Sequence, residues 1–127
     1  MIEKDLEKWF EKNYKTLGFD KIEPNKKYNW QMQEDSLKRL YLPGGQFMGY
    51  PYWLKGKGEM ICPDYFGYKK GKKYGIELEV KSSNFIAHKH NPEIVDFLLV
   101  FEDDSKKFKD FPIPRRRIIK CQYSDKI

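Results

Sequence analysis

The sequence predicts an α/β fold, in which a mixed central sheet of four to five strands is flanked by helices. Three patterns support this: an amphipathic helix at residues 2–17, an alternating strand at Tyr74–Lys81, and a nearly continuous apolar strand at Phe97–Glu102. The chain has 127 residues, which is the size of one domain. Because no repeat or low-complexity linker divides the sequence, we expect residues 1–127 to form a single domain.

The composition is that of a folded, basic protein. Apolar residues make up 39% of the chain and aromatic residues 17%, which is enough for a core and excludes a disordered tail. The 25 Lys and Arg residues outnumber the 19 Asp and Glu residues, so the net charge is +6. A basic surface favours polyanions such as DNA, RNA or an anionic membrane face. A lysine-rich surface is equally typical of a merely soluble protein.

Targeting signals are not evident in the sequence. The N-terminus is charged and lacks an apolar signal stretch, and the longest strongly apolar run, Phe97–Phe101, is too short to cross a bilayer. Cys62 lies in an apolar run and is expected to be a small buried residue, not half of a disulfide. We therefore expect a soluble cytoplasmic protein with no membrane partner.

The first half of the chain predicts one helix and then an ambiguous region. The apolar residues of 2–17 follow helical spacing, and Gly18 is typical of a helix end. Residues 20–45 are polar and give no clear pattern. Ser36–Leu42 could form a short helix, which residues 43–45 would stop because they are Pro-Gly-Gly.

Three candidate strands follow in the middle of the chain. Phe47–Leu54 is rich in aromatic residues, Glu59–Cys62 runs into Pro63-Asp64, and Tyr74–Lys81 alternates between apolar and charged residues. A basic turn at Tyr68–Lys73, centred on a glycine, predicts a hairpin between the last two of these strands.

The last third of the chain predicts two further strands. Asn91-Pro92-Glu93 is typical of a short helical turn, and the apolar strand at Phe97–Glu102 is expected to be central in the sheet. Asp103–Asp110 is predicted to be a charged loop, and Arg117–Cys121 a last or edge strand.

Strand Tyr74–Lys81 carries the residues that suggest chemistry. Alternation places three apolar side chains on its core face and three charged side chains on the opposite face. The apolar set is Ile76, Leu78 and Val80, and the charged set is Glu77, Glu79 and Lys81. The predicted hairpin would bring the carboxylate of Asp64 near the charged face. The simpler interpretation is an exposed charged strand that follows an ordinary Pro-Asp turn.

Carboxylates in this arrangement suit a hard divalent cation. Mg²⁺ commonly binds through one or two protein carboxylates and keeps several waters. Such an ion can activate water and clamp a phosphate, and the positive charge of Lys81 could orient the water or stabilise charge on the phosphoryl group.

The ordered combination of Pro63-Asp64, a hairpin and Glu79-Val80-Lys81 resembles the PD-(D/E)XK nuclease superfamily. That group includes many restriction endonucleases and the archaeal Holliday-junction resolvases. The resemblance implies a restriction-endonuclease-like fold and hydrolysis of DNA phosphodiester bonds with Mg²⁺ or Mn²⁺. It also implies that Asp64, Glu79 and the Val80 carbonyl bind the metal, and that Lys81 assists the attacking water.

The resemblance further implies a glutamate on the first helix. Glu7 has the spacing expected from the resolvases, and Glu3, one turn earlier, is the alternative. Either residue could equally lie on an ordinary solvated helix face. The sequence departs from the family in residues 20–58 and lacks an obvious long helix after Glu102, which leaves the substrate and the subfamily open.

Several other side chains are candidates for contacts with nucleic acid or metal. By strand alternation Ser83 would lie on the same face as the charged residues, where it could contact phosphate, or it could lie in the turn that ends the strand. His88 and His90 could bind a metal as a pair, contact phosphate or anchor a loop. Two histidines alone do not make a zinc site. Asp96 could cap a turn. The predicted phosphate contacts in basic groups are Lys69, Lys70, Lys72, Lys73, Arg115 and Arg116.

Two other functions remain compatible with the sequence. One is a catalytically inactive nucleic-acid-binding protein that retains the nuclease fold, and the other is a structural or interaction protein with a charged strand face. For an active enzyme we expect a homodimer on DNA, because cleavage of both strands is easier with two sites related by a two-fold axis.

Overall fold

The computed structural model describes residues 2–26, 63–88, 90 and 92–121. Within them the chain forms a mixed five-stranded sheet with the strands in sequence order, which confirms the predicted α/β class. The strands are β1 (Lys21–Pro24), β2 (Tyr65–Lys69), β3 (Lys72–Lys81), β4 (Phe97–Glu102) and β5 (Ile118–Lys120). The helices are α1 (Glu3–Asn13) and α2 (Ser83–Ala87), and 3-10 turns occupy Tyr14–Leu17, Pro92–Ile94, Ser105–Lys107 and Arg115–Arg117.

The pairing of neighbouring strands changes from antiparallel to parallel at β3. Strands β1, β2 and β3 are antiparallel, whereas β3, β4 and β5 are parallel, so a crossover joins each of the last two pairs. Pairing between β2 and β3 stops where Tyr65 lies opposite Ile76. The remaining part of β3 therefore extends past the end of β2, and Asp64 lies at the point where the two strands part.

Helix α1 packs on one face of the sheet through Leu6 and Phe10, which are both fully buried. The predicted helix over 2–17 is confirmed as α1 followed by a 3-10 turn, and Gly18 ends it with a left-handed φ of 93°. The opening turn is closed by Asp5, whose carboxylate accepts the Ile2 amide at 2.9 Å.

Two apolar clusters lie on opposite faces of the sheet, because alternate residues of β4 belong to different clusters. Leu99 and Phe101 pack with α1, whereas Leu98 and Val100 pack with the crossover between β3 and β4. The α1 cluster also contains Phe19, Tyr65, Ile76, Leu78 and Cys121, and the crossover cluster contains Phe85, Ile94, Val95 and Ile113. The predicted core role of Ile76 and Leu78 is confirmed, and Val80 packs at the margin of their cluster.

The hairpin before the site differs from its prediction. Its first strand is β2, which begins directly after Asp64, whereas the prediction placed Asp64 at the end of that strand. The turn consists of Lys70 and Gly71, both with positive φ (49° and 79°), which matches the right-handed twist of the strands that it joins. The hairpin strand includes Tyr65 and Phe66 because the rings of both residues are buried in the fold. The predicted strands Phe47–Leu54 and Glu59–Cys62 and the predicted helix Ser36–Leu42 lie outside the described residues.

Two elements were not predicted. β1 is a short, half-exposed edge strand, so it lacks the apolar alternation that reveals a strand. α2 begins where a strand-ending turn was expected, because Ser82 already has helical φ and ψ (−58° and −35°). The prediction that Ser83 continues the face of β3 is therefore wrong.

The other predicted elements are confirmed. The turn at Pro92–Ile94 is present, β4 has the predicted bounds and lies between two strands, and β5 forms the sheet edge within the predicted range Arg117–Cys121. None of the helices that the structure describes is long and apolar enough to cross a membrane.

The crossover that follows β3 is fixed to the sheet at Gly75. The Gly75 amide donates to Asp96 Oδ2 at 2.7 Å, and the Asp96 amide donates to the Gly75 carbonyl at 2.8 Å. A β-carbon on residue 75 would collide with the backbone carbonyl of Ile94. Asp96 therefore forms the turn that leads into β4 and fixes this turn to β3.

We expect Gly75→Ala to lower the free energy of unfolding by about 1–3 kcal/mol, because the new methyl group must displace the Ile94 backbone. Urea denaturation would measure the change. Gly71→Asn is the control, since nothing lies within 4 Å of a β-carbon there and asparagine tolerates positive φ. An equal loss in both variants would contradict the collision at Gly75.

Candidate metal centre

Asp64 lies beside the part of β3 that extends past the end of β2. Its Oδ2 accepts the Leu78 amide at 2.9 Å, so the carboxylate lies beside the strand between Glu77 and Glu79. Asn25, just after β1, fixes the Pro63-Asp64 backbone through two bonds: its side chain donates to the Pro63 carbonyl at 2.7 Å and its amide to the Asp64 carbonyl at 2.9 Å. Neither Asn25 nor this tether was predicted, because the bonds join residues 38 positions apart.

Glu77 and Glu79 lie on the predicted face of β3, but this face is buried. The two side chains are 0% and 2% exposed, because the crossover carrying Phe85 and Val95 covers that side of the sheet. The interpretation of Glu-x-Lys as an exposed charged face is therefore wrong for the two glutamates. Burial of a carboxylate is unfavourable unless hydrogen bonds or a cation compensate its charge. The groups that contact Glu77 and Glu79 therefore determine what this site can bind.

Two histidines approach Glu79 from the crossover. His88 Nδ1 and His90 Nε2 each lie 2.9 Å from Glu79 Oε1. Helix α2 positions both residues, since the His88 amide donates to the Asn84 carbonyl and the His90 amide to the Phe85 carbonyl. The Phe85 ring also packs against the His90 imidazole, with centroids 5.6 Å apart.

Glu77 is the least compensated group of the site. Its Oε2 lies 2.9 Å from His90 Nε2, the same nitrogen that contacts Glu79. Apart from this contact and the neighbouring Asp64 carboxyl group, neither oxygen of Glu77 has a hydrogen-bond partner among the described residues. His90 Nε2 thus lies near two buried carboxylates, and its single proton cannot form a full hydrogen bond to both.

The close approach of buried carboxylates also affects the pKa of Asp64. Burial and the neighbouring Glu77 carboxylate raise the pKa of Asp64 from 3.8 to about 9, and the bond from the Leu78 amide and the proximity of His90 only partly oppose this. Desolvation and the negative charge of Glu77 both favour the neutral form of Asp64. A cation beside Asp64 would therefore stabilise its ionised form.

Glu3 is the helix glutamate that interacts with the site. Although Glu3 is largely exposed, partial burial raises its pKa, and the Glu79 and Asp64 carboxylates raise it further. Glu7, our first choice from the sequence, is exposed, and it acts electrostatically on Glu3 and Tyr65. Of the two helix glutamates, Glu3 is therefore the one whose pKa responds to the charges of Asp64 and Glu79.

Lys81 lies two residues beyond Glu79 and is accessible. Its ammonium group lies 3.8 Å from Glu102, and both side chains are more than half exposed. An exposed ion pair of this kind contributes little to stability, so Lys81 can exchange this partner at small cost.

The predicted phosphate contacts are dispersed over the surface. Three hairpin lysines lie over aromatic rings: Lys69 over Phe19 and Phe97, Lys72 over Tyr74, and Lys73 over Phe66. Lys70 is exposed at the turn, and Arg115 and Arg116 are exposed just before β5. Ser83 donates its amide to Asp104 Oδ1 at 2.8 Å and so belongs to the anchor of α2.

The anchor of α2 centres on Ser82. Its buried hydroxyl lies 2.9 Å from Asp103 Oδ1 and 2.8 Å from Asp104 Oδ1, and it accepts the Asp104 amide at 2.8 Å. These bonds join the start of α2 to the end of β4 and thereby fix the origin of the segment that carries His88. No sequence pattern indicates this cluster, because Ser and Asp in loops are common turn residues.

Comparisons with models of protein families, with curated proteins and with solved structures find no match for this chain. The chemistry of the site alone therefore supports a functional interpretation.

The site can hold a metal ion. One donor atom from each of Glu79, His88 and His90 lies within 4.8 Å of the others. Asp64 and Glu77 add carboxylates at the edge of this group. Carboxylate and imidazole groups are the common oxygen and nitrogen ligands of divalent metals.

We expect Asp64→Asn to stabilise the metal-free protein increasingly as the pH rises. Below about pH 4 Asp64 is protonated in both the folded and the unfolded chain. Above that pH the unfolded chain ionises while the folded chain holds the proton, so the stability of the folded state falls as the pH rises towards 9. The free energy of unfolding of the wild type in EDTA should therefore fall by up to about 1.4 kcal/mol per pH unit between pH 5 and pH 8. Asparagine keeps the acceptor for Leu78 without the titration, so its slope should be flatter.

Denaturant titrations at several pH values would measure these slopes. Asp110→Asn is the matched control, because Asp110 is an exposed aspartate in a loop. If the free energy of unfolding changed equally with pH in wild type and in Asp64→Asn, the raised pKa of Asp64 in the folded state would be contradicted.

Proposed function

We propose that this protein is a metal-dependent nuclease that hydrolyses phosphodiester bonds of DNA, with a restriction-endonuclease-like fold. The observation that carries the proposal is the hydrogen bond from the Leu78 amide, which holds the Asp64 carboxylate beside β3 between Glu77 and Glu79. The pKa of Glu3 on α1 responds to the charges of Asp64 and Glu79. These residues come from the elements that the family resemblance assigns to the site: the first helix, the start of the hairpin and the strand ending in Glu-x-Lys.

Asp64, Glu79 and the Val80 carbonyl would hold Mg²⁺ or Mn²⁺. The buried carboxylates fit a cation, because Glu77 has no hydrogen-bond partner among the described residues apart from His90 and the Asp64 carboxyl group, and Asp64 carries a raised pKa. When bound, a divalent ion would supply Lewis-acid polarisation of the phosphodiester and a more acidic water.

The chain's own residues would complete the site. Lys81 would release Glu102 and bind a phosphate oxygen or orient the attacking water, since its ion pair is exposed. Glu3 would support the ion from α1, and we propose it in place of Glu7 for this role. The crossover would exclude solvent from the inner side of the carboxylates, because Glu77 and Glu79 are buried beneath it.

The hairpin and the residues before β5 would contact the DNA backbone. Lys70 and Lys72 are exposed at the turn, and Arg115 and Arg116 are exposed on the 3-10 turn. Contacts of this kind bind any sequence, because phosphates carry no sequence information. The homodimer expected for cleavage of both strands stays a prediction.

We expect purified protein to cleave plasmid or branched DNA in Mg²⁺ or Mn²⁺, and Asp64→Ala and Lys81→Ala to lower the rate about 100-fold or more. A gel assay with plasmid, linear, flapped and four-way substrates would measure the rates. Asp110→Asn should cut at the wild-type rate.

Failure of the wild type to cut any of these substrates would overturn the nuclease proposal. Metal-independent binding to DNA without cleavage would then favour the inactive nucleic-acid-binding protein. Absence of both binding and cleavage would favour a structural or interaction role.

We expect Lys70→Ala/Lys72→Ala to weaken DNA binding equally for different sequences and to reduce the slope of log K against log salt by about 2. Each lysine that neutralises a phosphate releases counterions, so its loss lowers the slope. Fluorescence anisotropy from 50 to 300 mM salt, on the order of the usual working range, would measure it. The control is Lys106→Ala/Lys107→Ala, which removes two exposed lysines not predicted to contact phosphate. An unchanged slope in the first variant would remove the hairpin from the interface.

A further inference from the structure

We propose that Glu79, His88 and His90 form a binding site for one transition-metal ion of the Mn²⁺, Co²⁺ or Zn²⁺ class. The site shares Glu79 with the proposed catalytic ion, but its occupancy does not require that the protein cleaves DNA. It therefore goes beyond the Mg²⁺ site that the sequence predicts.

The geometry of the three donors supports the site. His88 Nδ1 and His90 Nε2 both lie 2.9 Å from Glu79 Oε1, and one donor of each residue lies within 4.8 Å of the others. Two ligands bound at 2.0–2.2 Å from one ion lie about 3–3.5 Å apart. A small outward shift of the three side chains would therefore admit an ion between them.

Glu77 gives an independent reason for a cation at this point. Its carboxylate is fully buried, and apart from His90 Nε2 at 2.9 Å and the neighbouring Asp64 carboxyl group it has no hydrogen-bond partner among the described residues. A buried carboxylate in this position is costly unless positive charge compensates it. An ion beside His90 would provide that charge for Glu77 as well as for Glu79.

The ligand chemistry selects the class of ion. Mg²⁺ favours oxygen ligands and retains its waters, whereas imidazole nitrogen suits Zn²⁺ and other first-row transition metals. Two imidazoles and one carboxylate leave coordination positions open for water or for a substrate oxygen. The 45% exposure of the His88 side chain gives solvent access to one side of the site.

The local structure holds the ligands before any ion binds. His90 is 6% exposed and packs against Phe85, and the backbone bonds of α2 fix the start of the His88 to His90 segment. Rigid ligands reduce the loss of conformational entropy on binding. This preorganisation distinguishes the three residues from an accidental surface cluster.

The test is titration of the chelator-treated full chain with Co²⁺ and Zn²⁺. Visible absorption of Co²⁺ reports ligation, and calorimetry with Zn²⁺ gives affinity and stoichiometry. We expect one equivalent to bind in wild type, and His88→Ala and His90→Ala each to weaken binding at least about 10-fold, as loss of even an outer-shell partner does. Asp110→Asn, the exposed loop control, should retain affinity within about 3-fold, a change of under 1 kcal/mol.

His88→Ala is the more decisive variant because His88 is partly exposed and its removal leaves the crossover packing in place. Circular dichroism would verify folding, and His90→Gln would replace the buried imidazole if His90→Ala fails to fold. Unchanged Co²⁺ spectra and Zn²⁺ affinity in folded His88→Ala would overturn the site. Histidine-dependent binding in a protein that cuts no DNA would reject the nuclease proposal and leave the metal site standing.

Discussion

Glu77 and Glu79 are buried on the side of β3 that the crossover covers, and their charge must be compensated within the protein. The imidazoles of His88 and His90 provide the nearest compensation, so the crossover has to place both rings within hydrogen-bond distance of Glu79. The apolar residues around them, such as Phe85, favour the same position because they pack on β4. Packing and electrostatics therefore constrain the same short segment.

Two groups of polar contacts fix the ends of this segment to the sheet. At one end the hydroxyl of Ser82 lies between Asp103 and Asp104 beyond β4, and at the other end Asp96 exchanges two hydrogen bonds with Gly75. Because both ends are fixed to the strands that also carry the acidic groups, the distance between histidines and carboxylates depends little on the surface loops. This is the support that a preorganised binding site needs.

The sequence predicts the parts of this structure that repeat with a period. Alternation identifies β3, continuous apolar character identifies β4, and helical spacing with Gly18 identifies α1, because each depends on local geometry. The position of Asp64 near β3 is predicted, but not that the hairpin strand β2 begins directly after it, since a Pro-Asp turn can end one strand or precede the next. The burial of Glu77 and its contact with His90 could not be predicted, because both require knowledge of which segment covers the sheet.

The tether at Asn25 has a consequence for how this protein can vary. Asn25 and Pro63-Asp64 are hydrogen-bonded neighbours although 38 positions separate Asn25 from Pro63. Because Asn25 directly follows the edge strand β1, and β1 pairs with β2, these bonds make the position of Asp64 depend on a residue next to the sheet edge. A substitution at position 25 would therefore disturb the acidic centre through the backbone of residues 63 and 64. Positions 25 and 64 are thus coupled, and neither can vary without regard to the other.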